Sequence, residues 1–447
     1  MKTIIMCAAA WLLSLPVTAQ DVCEEIAANP NVAGCNYMAY PGPKQTVLTA
    51  APEGYTPYYI SHYGRHGSRY LIDQRDYDAP RATLMKADSL GILSQTGRDV
   101  LQRVERMRTE SWKRLGELTP LGAEQHRGIA RRMVERFPEV FEGDVVVDAK
   151  STFVIRCILS MENELLEMAA LRPSLRFKHD ASWHDMYYMN QSTKYLDSLK
   201  NRPEVKQTLK AFEQAHAHPE RVMSLLFDNG KQETTAGFLS EDEQRGLYRQ
   251  LIDLATALQN TELRHEMTLY DLFTTDELYE NWQRTNAWWY QNNGAAPLTG
   301  TVQPYSQRNL LRKIVEEADS CLVMERPGAT LRFGHEGMVM SLSCLLDIDQ
   351  YATQTSLDSL EIKNWLSHNI FPMACNLQFV FYKKTGNSLQ KTGEGREEKA
   401  PVLVKVLLNE NEATLPLPAV SGPYYRWDDL RAYMLRILDR WKSIGQE

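Results

Sequence analysis

The chain has 447 residues, 43% of them hydrophobic and 24% charged, which suits one large globular domain with insertions or two domains that share a core. The formal net charge of −7 excludes the broad basic surface that sequence-independent nucleic-acid binding needs, so we expect no nucleic-acid partner. No apolar stretch approaches the roughly 18 residues of a transmembrane helix, and we expect no membrane span.

The N-terminus is typical of an exported protein. Residues 1–19 combine a lysine, a short apolar run and a small-residue cleavage site, which predicts a signal peptide and a periplasmic or secreted location. Cys23 and Cys35 lie close together in a polar stretch, and an oxidising compartment would favour a disulfide between them. No CxxC pair occurs, so we expect no structural zinc site.

The first half of the chain alternates strand-like and helix-like patterns. "YYISHYGRHGSRY" (58–70) begins as a buried strand, and residues 79–117 have helical periodicity. A helix follows with Thr119 as its cap and Pro120 at its first position. Residues 144–150 predict a strand, and the next helix is predicted to be capped by Ser151 or Thr152 and to end before Pro173.

The second half begins with a long polar, aromatic and helical region and then returns to the alternating pattern. We interpret the aromatic residues of this region as helix packing rather than as a ligand platform; they are Trp282, Trp288, Trp289 and Tyr290. The later elements are an amphipathic helix at 308–322, strands at 329–337, 378–382 and 402–408, and a final helix at 427–444. Strands interleaved with helices predict a layered α/β fold.

Two of the predicted strands end in polar residues that suit phosphate chemistry. One runs into "RHG" at 65–67 and the other into "GHEG" at 334–337. Because ligands of α/β sheets bind beyond the carboxyl ends of strands, we expect these residues to share a site with Arg69 and Arg156. Arginine forks bind phosphate oxygens, a neutral imidazole can attack phosphorus, and Glu336 could supply a proton to a leaving group.

These motifs resemble those of the histidine phosphatase superfamily, in its acid phosphatase and phytase branch and most of all the multiple inositol polyphosphate phosphatases. "RHGSR" (65–69) and a downstream histidine–carboxylate pair carry the resemblance. "LTPLGAEQ" (118–125) is similar to the family's Leu-Thr-x-x-Gly-x-x-Gln helix start, and "STFVIRCILS" (151–160) to its second arginine segment. The motifs occur in family order.

The resemblance implies a fold and a set of residue roles. The fold would be a three-layer, phosphoglycerate mutase-like α/β core around a mixed central sheet, formed by residues 20–180 and 301–447, with a smaller helical cap at 181–300. His66 would accept the phosphoryl group and Glu336 would donate a proton. The phosphate would be held by Arg65, Arg69, Arg156 and His335. Neither a metal nor another cofactor is implied.

The implied activity is hydrolysis of phosphate monoesters through a phosphohistidine, with inositol polyphosphates such as phytate as substrates. Two departures from the family pattern bear on this implied activity. Leu71 stands where the family usually has proline. The second motif is His335-Glu336-Gly337, whereas the family has His-Asp or His-Ala-Glu. The alternatives are a broad-specificity acid phosphatase for sugar phosphates or other small monoesters, and a phosphate-binding protein without activity. The sequence predicts no particular oligomeric state.

Overall fold

The structure, a computed structural model, describes residues 21–189, 193–228, 237–385, 389–391 and 397–444. The predicted signal peptide at 1–19 lies outside these residues. The strands are β1 (Tyr55–Arg65), β2 (Val146–Ser151), β3 (Arg176–Ala181), β4 (Gly328–Gly334), β5 (Asn376–Lys384), β6 (Leu389–Lys391), β7 (Glu397–Lys399), β8 (Leu403–Leu408), β9 (Asn411–Glu412) and β10 (Tyr424–Arg426).

Helices connect these strands and form most of the region between β3 and β4. The α-helices are α1 (Val22–Ala28), α2 (Arg75–Ser89), α3 (Gln95–Glu110), α4 (Pro120–Arg136), α5 (Ile155–Leu171), α6 (Met186–Met189), α7 (Lys194–Lys200), α8 (Pro203–Ala215), α9 (Glu220–Leu226), α10 (Glu241–Leu258), α11 (Thr275–Asn293), α12 (Arg308–Leu322), α13 (Glu336–Leu345), α14 (Ser367–Ile370) and α15 (Trp427–Ile444). Short 3₁₀ helices cover Pro30–Tyr37, Pro138–Phe141, Trp183–Asp185, Glu262–His265, Tyr270–Leu272, Pro297–Thr299, Gln303–Gln307, Ile348–Gln350 and Leu357–Ser359.

The central sheet is mixed, as predicted. Its strand order is β10-β8-β5-β1-β4-β2-β3, with β9 paired to β8, while β6 and β7 form a separate hairpin. The neighbours β1, β4, β2 and β3 are parallel, whereas β5, β8 and β10 are antiparallel to their neighbours. The carboxyl ends of β1, β2 and β4 therefore lie at one edge of the sheet, where the polar residues were predicted to meet.

Helices cover both faces of the sheet, which confirms the three-layer α/β architecture. On one face α12, α13 and α15 bury Leu311, Val339 and Met434 in a cluster that includes Tyr59 of β1. On the other face α4 and α5 bury apolar residues against a cluster that includes Ile60. Tyr59 and Ile60 point to opposite faces because side chains alternate along a strand.

A third apolar cluster joins helices from two distant parts of the chain. Residues of α1, α2 and α3 share it with residues of α9, α10 and the first half of α11. The boundaries of a separate cap at 181 and 300 stay a prediction. The same cluster shows that α1, α2 and α3, which precede the predicted cap in sequence, pack in one layer with its helices. Within the described residues, no helix is both long and apolar enough to cross a bilayer.

Several local predictions can be compared directly with the structure. The Thr119 cap of α4, with Pro120 in the first turn, is confirmed, because the Thr119 side chain accepts a hydrogen bond from the backbone N–H of Gly122. The predicted cap of α5 at Ser151 or Thr152 is wrong. β2 continues to Ser151, the Thr152 N–H donates to the carbonyl of Phe333, and the helix begins only at Ile155.

The predicted disulfide between Cys23 and Cys35 is also wrong, because both thiols are free. The Cys35 sulfur is buried and lies 3.6 Å from the carbonyl oxygen of Trp282. The Cys23 sulfur lies 4.0 Å from a carboxylate oxygen of Asp276. Proximity in sequence did not bring the two sulfurs together, since each contacts a different residue of α11.

Candidate active site

The backbone at the end of β1 is held by both neighbouring strands. Arg65 pairs with Gly334 in the parallel ladder with β4. The next N–H, that of His66, donates to the carbonyl of Gly334 over 3.0 Å, and the Arg65 N–H donates to the carbonyl of Cys375 over 2.8 Å. These contacts place the two predicted motifs, "RHG" and "GHEG", side by side.

The loop that follows His66 is fastened to the start of α4. Gly67 lies directly on Gly122, so close that a Cβ on Gly67 would be 2.4 Å from the Gly122 carbonyl oxygen. The N–H of Ser68 donates to the side-chain oxygen of Gln125 over 2.8 Å. The Ser68 hydroxyl donates to Asn260 over 2.6 Å, and this contact links the loop to the residues just after α10. The "LTPLGAEQ" segment therefore positions the loop that follows His66.

Arg65 projects from the sheet edge with a completely buried guanidinium. Its Nη1 donates to the backbone carbonyls of Asn36 and Phe371. Neither Nη2 nor Nε forms a hydrogen bond among the described residues, although Nε lies 3.3 Å from a carboxylate oxygen of Glu336 in an ion pair. The backbone thus anchors one end of the guanidinium, and its other N–H groups face the site, where a bound anion could take the place of the Glu336 carboxylate.

Arg69 and Arg156 are held in the same manner. Nη1 of Arg69 donates to the carbonyl of Tyr70 over 2.9 Å, and its guanidinium carbon lies 5.2 Å from the centre of the Tyr37 ring. Nη1 of Arg156, near the start of α5, lies 3.4 Å from the carbonyl oxygen of Gly116. The Nε atoms of both arginines are buried without a hydrogen-bond partner in the described part of the chain.

His66 has the protonation state of a nucleophile. Its Nδ1 lies 2.9 Å from the carbonyl oxygen of Gly67, so Nδ1 carries the proton and donates it in a hydrogen bond. Burial, followed by the positive charges of Arg65, Arg69 and Arg156, holds the pKa of His66 well below its usual range. The ring is therefore neutral, and the lone pair of Nε2 is available.

Glu336 begins α13 and points back to the arginines. One of its carboxylate oxygens lies 3.3 Å from Nε of Arg65 and 3.9 Å from Nε2 of His66. Burial opposes its ionisation, but the charges of Arg65 and Arg69 outweigh burial and hold the pKa of Glu336 at about 2. In the free enzyme this carboxylate is ionised and partly neutralises the arginine cluster.

His335 completes the cluster at the N-terminal cap position of α13. Its ring centre lies 5.8 Å from that of His66. Burial lowers the pKa of His335 to about 4, and the neighbouring guanidiniums act in the same direction, so this imidazole is also neutral near pH 7. It can donate one hydrogen bond to a bound oxyanion without adding charge.

The ligand atoms of His66, His335 and Glu336 lie within 4.8 Å of one another, a spacing that a metal ion could use. The buried guanidiniums of Arg65 and Arg69 repel a cation at this position, and an anion is favoured there for the same reason. The expectation of a metal-free site stays a prediction.

The structure places His62 and Arg332 outside the candidate site. His62 is buried against Phe333, with a ring-centre distance of 5.5 Å, and faces the core rather than the site. Arg332 points away from the sheet edge and binds Ser61 and Glu317. Asn260, 192 residues from Ser68 in sequence, was missed, and no local pattern marks it as a residue that supports the site.

Comparisons with known proteins agree with this geometry. The family model of the histidine phosphatase superfamily (branch 2) matches residues 65–409. The multiple inositol polyphosphate phosphatase of Bifidobacterium longum, solved with inositol hexasulfate, superposes with a TM-score of 0.74 at 17% identity, covering 90% of this chain and 97% of that one. The phytase of D. castellii gives a TM-score of 0.65 at 15% identity, covering 91% and 85%.

At these identities the two structures show the fold alone. No curated protein matches the sequence. The family model spans more than half of the chain and includes both histidine motifs. The chain therefore belongs to branch 2 of the histidine phosphatase superfamily, and its activity is that of a phosphoric monoester hydrolase.

Proposed function

We propose that the enzyme is an inositol polyphosphate phosphatase that forms a phosphohistidine at His66. The observation that supports this role is the set of buried N–H groups on Arg65, Arg69 and Arg156 that form no hydrogen bond among the described residues, next to a neutral imidazole. Guanidinium forks match the oxygens of a phosphate group, and their charge stabilises the transferring phosphoryl group.

In the proposed reaction a phosphate ester binds between the arginines and displaces the Glu336 carboxylate from Arg65. Nε2 of His66 attacks phosphorus, the bond from phosphorus to the ester oxygen breaks, and the leaving alkoxide takes a proton from Glu336. Water then attacks the phosphohistidine while Glu336 accepts its proton. The products are an alcohol and inorganic phosphate, and His66 returns to its neutral state.

The protonation of Glu336 depends on the bound substrate. Arg65 and Arg69 lower its pKa in the free enzyme. A bound phosphate neutralises these guanidiniums and therefore raises the pKa of Glu336. A substrate monoanion also brings a proton with it, because the second ionisation of a phosphate ester has a pKa of about 6. A Cβ added to the neighbouring Gly337 would meet nothing within 4 Å, so the first turn of the helix is open at that position.

One observation favours the second candidate, a broad-specificity acid phosphatase for sugar phosphates or other small monoesters. Asp76, in the first turn of α2, lies within electrostatic reach of Arg69. A carboxylate within electrostatic reach of a phosphate-binding arginine disfavours further phosphate groups on a substrate.

Phosphate release from phytate, glucose 6-phosphate and p-nitrophenyl phosphate tests the proposal. We expect all three to be hydrolysed, phytate with the highest kcat/KM, and His66→Ala to lose turnover. Rapid quenching with labelled p-nitrophenyl phosphate should trap an acid-labile label on His66. A label on another residue would contradict the assignment of the nucleophile, and a higher kcat/KM for glucose 6-phosphate would favour the second candidate.

We also propose that the protein is exported to the periplasm or secreted. The sequence of residues 1–19 supports this location. N-terminal sequencing of protein from the native host should find a mature chain that begins near residue 20. A chain that begins at Met1 would contradict it.

A further inference from the structure

A second cavity, separate from the arginine cluster, lies in the helical layer between α8, α10 and α11. It has a volume of about 510 Å³, within the range of small-molecule sites. Its polar lining includes basic residues from all three helices, which are Lys206, Lys210, Arg245, Arg249 and Arg284. We call it the basic groove.

The basic groove has a charge opposite to that of the whole chain. Five basic and two acidic side chains line it, whereas the full sequence has a net charge of −7. Arg249 is paired with Glu213, and Arg245 lies 2.8 Å from Asp242. Lys206 and Lys210 are exposed and form no ion pair among the described residues. The acidic side chains compensate only part of this positive charge, and the excess of basic over acidic groups in one cavity favours an anion with several charges.

The groove also has an exposed aromatic wall. Trp288 is 47% exposed, so the prediction that it packs between helices is wrong, although its neighbours in the predicted packing set, Trp282 and Tyr290, are buried. Helical periodicity places Trp288 on a different face from Trp282 and Tyr290. An indole face next to guanidinium groups suits a ring that carries anionic substituents.

Helix α10 separates the groove from the catalytic loop. Asn260, just beyond the end of α10, binds the hydroxyl of Ser68, while Arg249 in the middle of the helix lines the groove. The rise of an α-helix puts these positions about 16 Å apart along the helix axis. The groove therefore lies away from the residue that holds the loop carrying His66.

We propose that the basic groove is a second binding site, for a small ring-bearing polyanion with several phosphate or sulfate groups. This inference goes beyond the proposed function and does not rest on it, because none of the proposed catalytic residues contributes to the groove. The size of the cavity favours a small molecule over a macromolecule. The two free lysines would bind the anionic substituents, and Trp288 would contact the ring.

Calorimetric titration of the full chain with inositol hexakissulfate, which is not a phosphate ester, tests this proposal. We expect two binding events in the wild type. In Lys206→Glu/Lys210→Glu one event should disappear or weaken at least tenfold, while kcat/KM for p-nitrophenyl phosphate stays unchanged and shows that the variant is folded. Lys363→Glu, at an exposed lysine outside the groove, is the matched control and should keep both events.

A second variant tests the aromatic wall. Trp288→Ala should weaken the groove event for inositol hexakissulfate at least fivefold and leave the binding of tripolyphosphate, which has no ring, unchanged. A single binding event in the wild type, or two events that the lysine reversals do not alter, would overturn the proposal. Equal losses for both probes in Trp288→Ala would overturn the role of the ring.

Discussion

The proposed proton-donor role of Glu336 needs a different protonation state from the one that the carboxyl group has without a bound ligand. In the free enzyme the carboxylate lies 3.3 Å from Nε of Arg65 with a pKa of about 2, so it is ionised at every pH at which enzymes are usually assayed. As a donor it must be protonated when the leaving group departs. We infer that the proton arrives with the substrate, as the monoanion of the phosphate ester.

The first prediction concerns the pH dependence that follows. The fraction of monoanion decreases as the pH rises through about 6, so kcat/KM for an alkyl phosphate should decrease above that pH. His66 contributes no such change, because its pKa is already far below this range. A pH–rate profile between pH 5 and 8 measures the effect. A flat profile for the alkyl phosphate would contradict delivery of the proton by the substrate.

The second prediction concerns the side chain itself. Glu336→Gln keeps the shape of the residue but cannot donate an acidic proton, so kcat for an alkyl phosphate should decrease about 10²–10⁴-fold. The loss for p-nitrophenyl phosphate should be much smaller, because that leaving group departs without a proton. Glu336→Asp keeps the acid and serves as the control, with a smaller loss for the alkyl ester. Equal losses of Glu336→Gln on both substrates would mean that another group is the donor.

At the scale of elements, the contact between the catalytic loop and α4 depends on two glycines. A Cβ on Gly67 would lie 2.4 Å from the carbonyl oxygen of Gly122. This oxygen belongs to the backbone of α4, so the clash could be relieved only if the loop or α4 moved. The loop carries Arg65, His66 and Arg69 on either side of this contact. A displacement of α4 would therefore change the distances between the nucleophile and the arginines.

The third prediction tests this contact. Gly67→Ala should lower kcat at least tenfold and reduce the free energy of unfolding by about 1–3 kcal/mol, the usual cost of overpacking. Gly246→Ala in α10 is the matched control, because a Cβ there would meet nothing within 4 Å. It should leave kcat unchanged and stabilise the helix by roughly 0.5–1 kcal/mol. Urea denaturation and steady-state kinetics of both variants measure the two effects, and an active, stable Gly67→Ala would contradict the prediction.

At the scale of the whole molecule, stability depends on pH through His62, His66 and His335, because burial lowers the pKa of each. Burial, with the nearby charges of His126 and Arg332, lowers the pKa of His62 to about 3, and that of His335 is about 4. The pKa of each is about 6.5 in the unfolded chain. Between these values the unfolded chain binds more protons than the folded one, so stability is lost as the pH falls below about 6.5.

The fourth prediction isolates the contribution of His62. His62→Leu removes the buried titrating group, so the free energy of unfolding should decrease less between pH 7 and pH 4 than in the wild type, by up to roughly 3 kcal/mol. The exposed His184→Leu should retain the wild-type pH dependence. Chemical denaturation at a series of pH values compares the three proteins. Parallel curves for wild type and His62→Leu would show that His62 does not contribute.

The fifth prediction concerns metals. Three guanidiniums at the site supply the positive charge that a divalent ion supplies in other phosphatases, so phosphate release should be unchanged after EDTA treatment and dialysis. A loss of activity that a divalent ion restores would assign a metal to His66, His335 and Glu336, whose ligand atoms have a suitable spacing.

Local sequence pattern was sufficient to predict much of the fold and which candidate residues lie together at one edge of the sheet. Helical periodicity predicts α12 and α15 with the bounds that the structure has, and the side-chain cap at Thr119 follows from the preference of its residue type. Polar residues directly after apolar strands predict the site edge, because parallel strands bring their carboxyl ends together. These features depend on residues that are near one another in the chain.

The tertiary structure decided the features that depend on distant contacts. The bond from Ser68 to Asn260 spans 192 residues, Cys23 and Cys35 contact α11 instead of each other, and the exposure of Trp288 depends on which helices pack around α11. Only the folded chain lowers the pKa of His66, through burial and the charges of three arginines, and the pKa of Glu336, through the charges of Arg65 and Arg69. Burial and charge proximity are properties of the folded chain, so residue type and spacing could name these groups but not their protonation states.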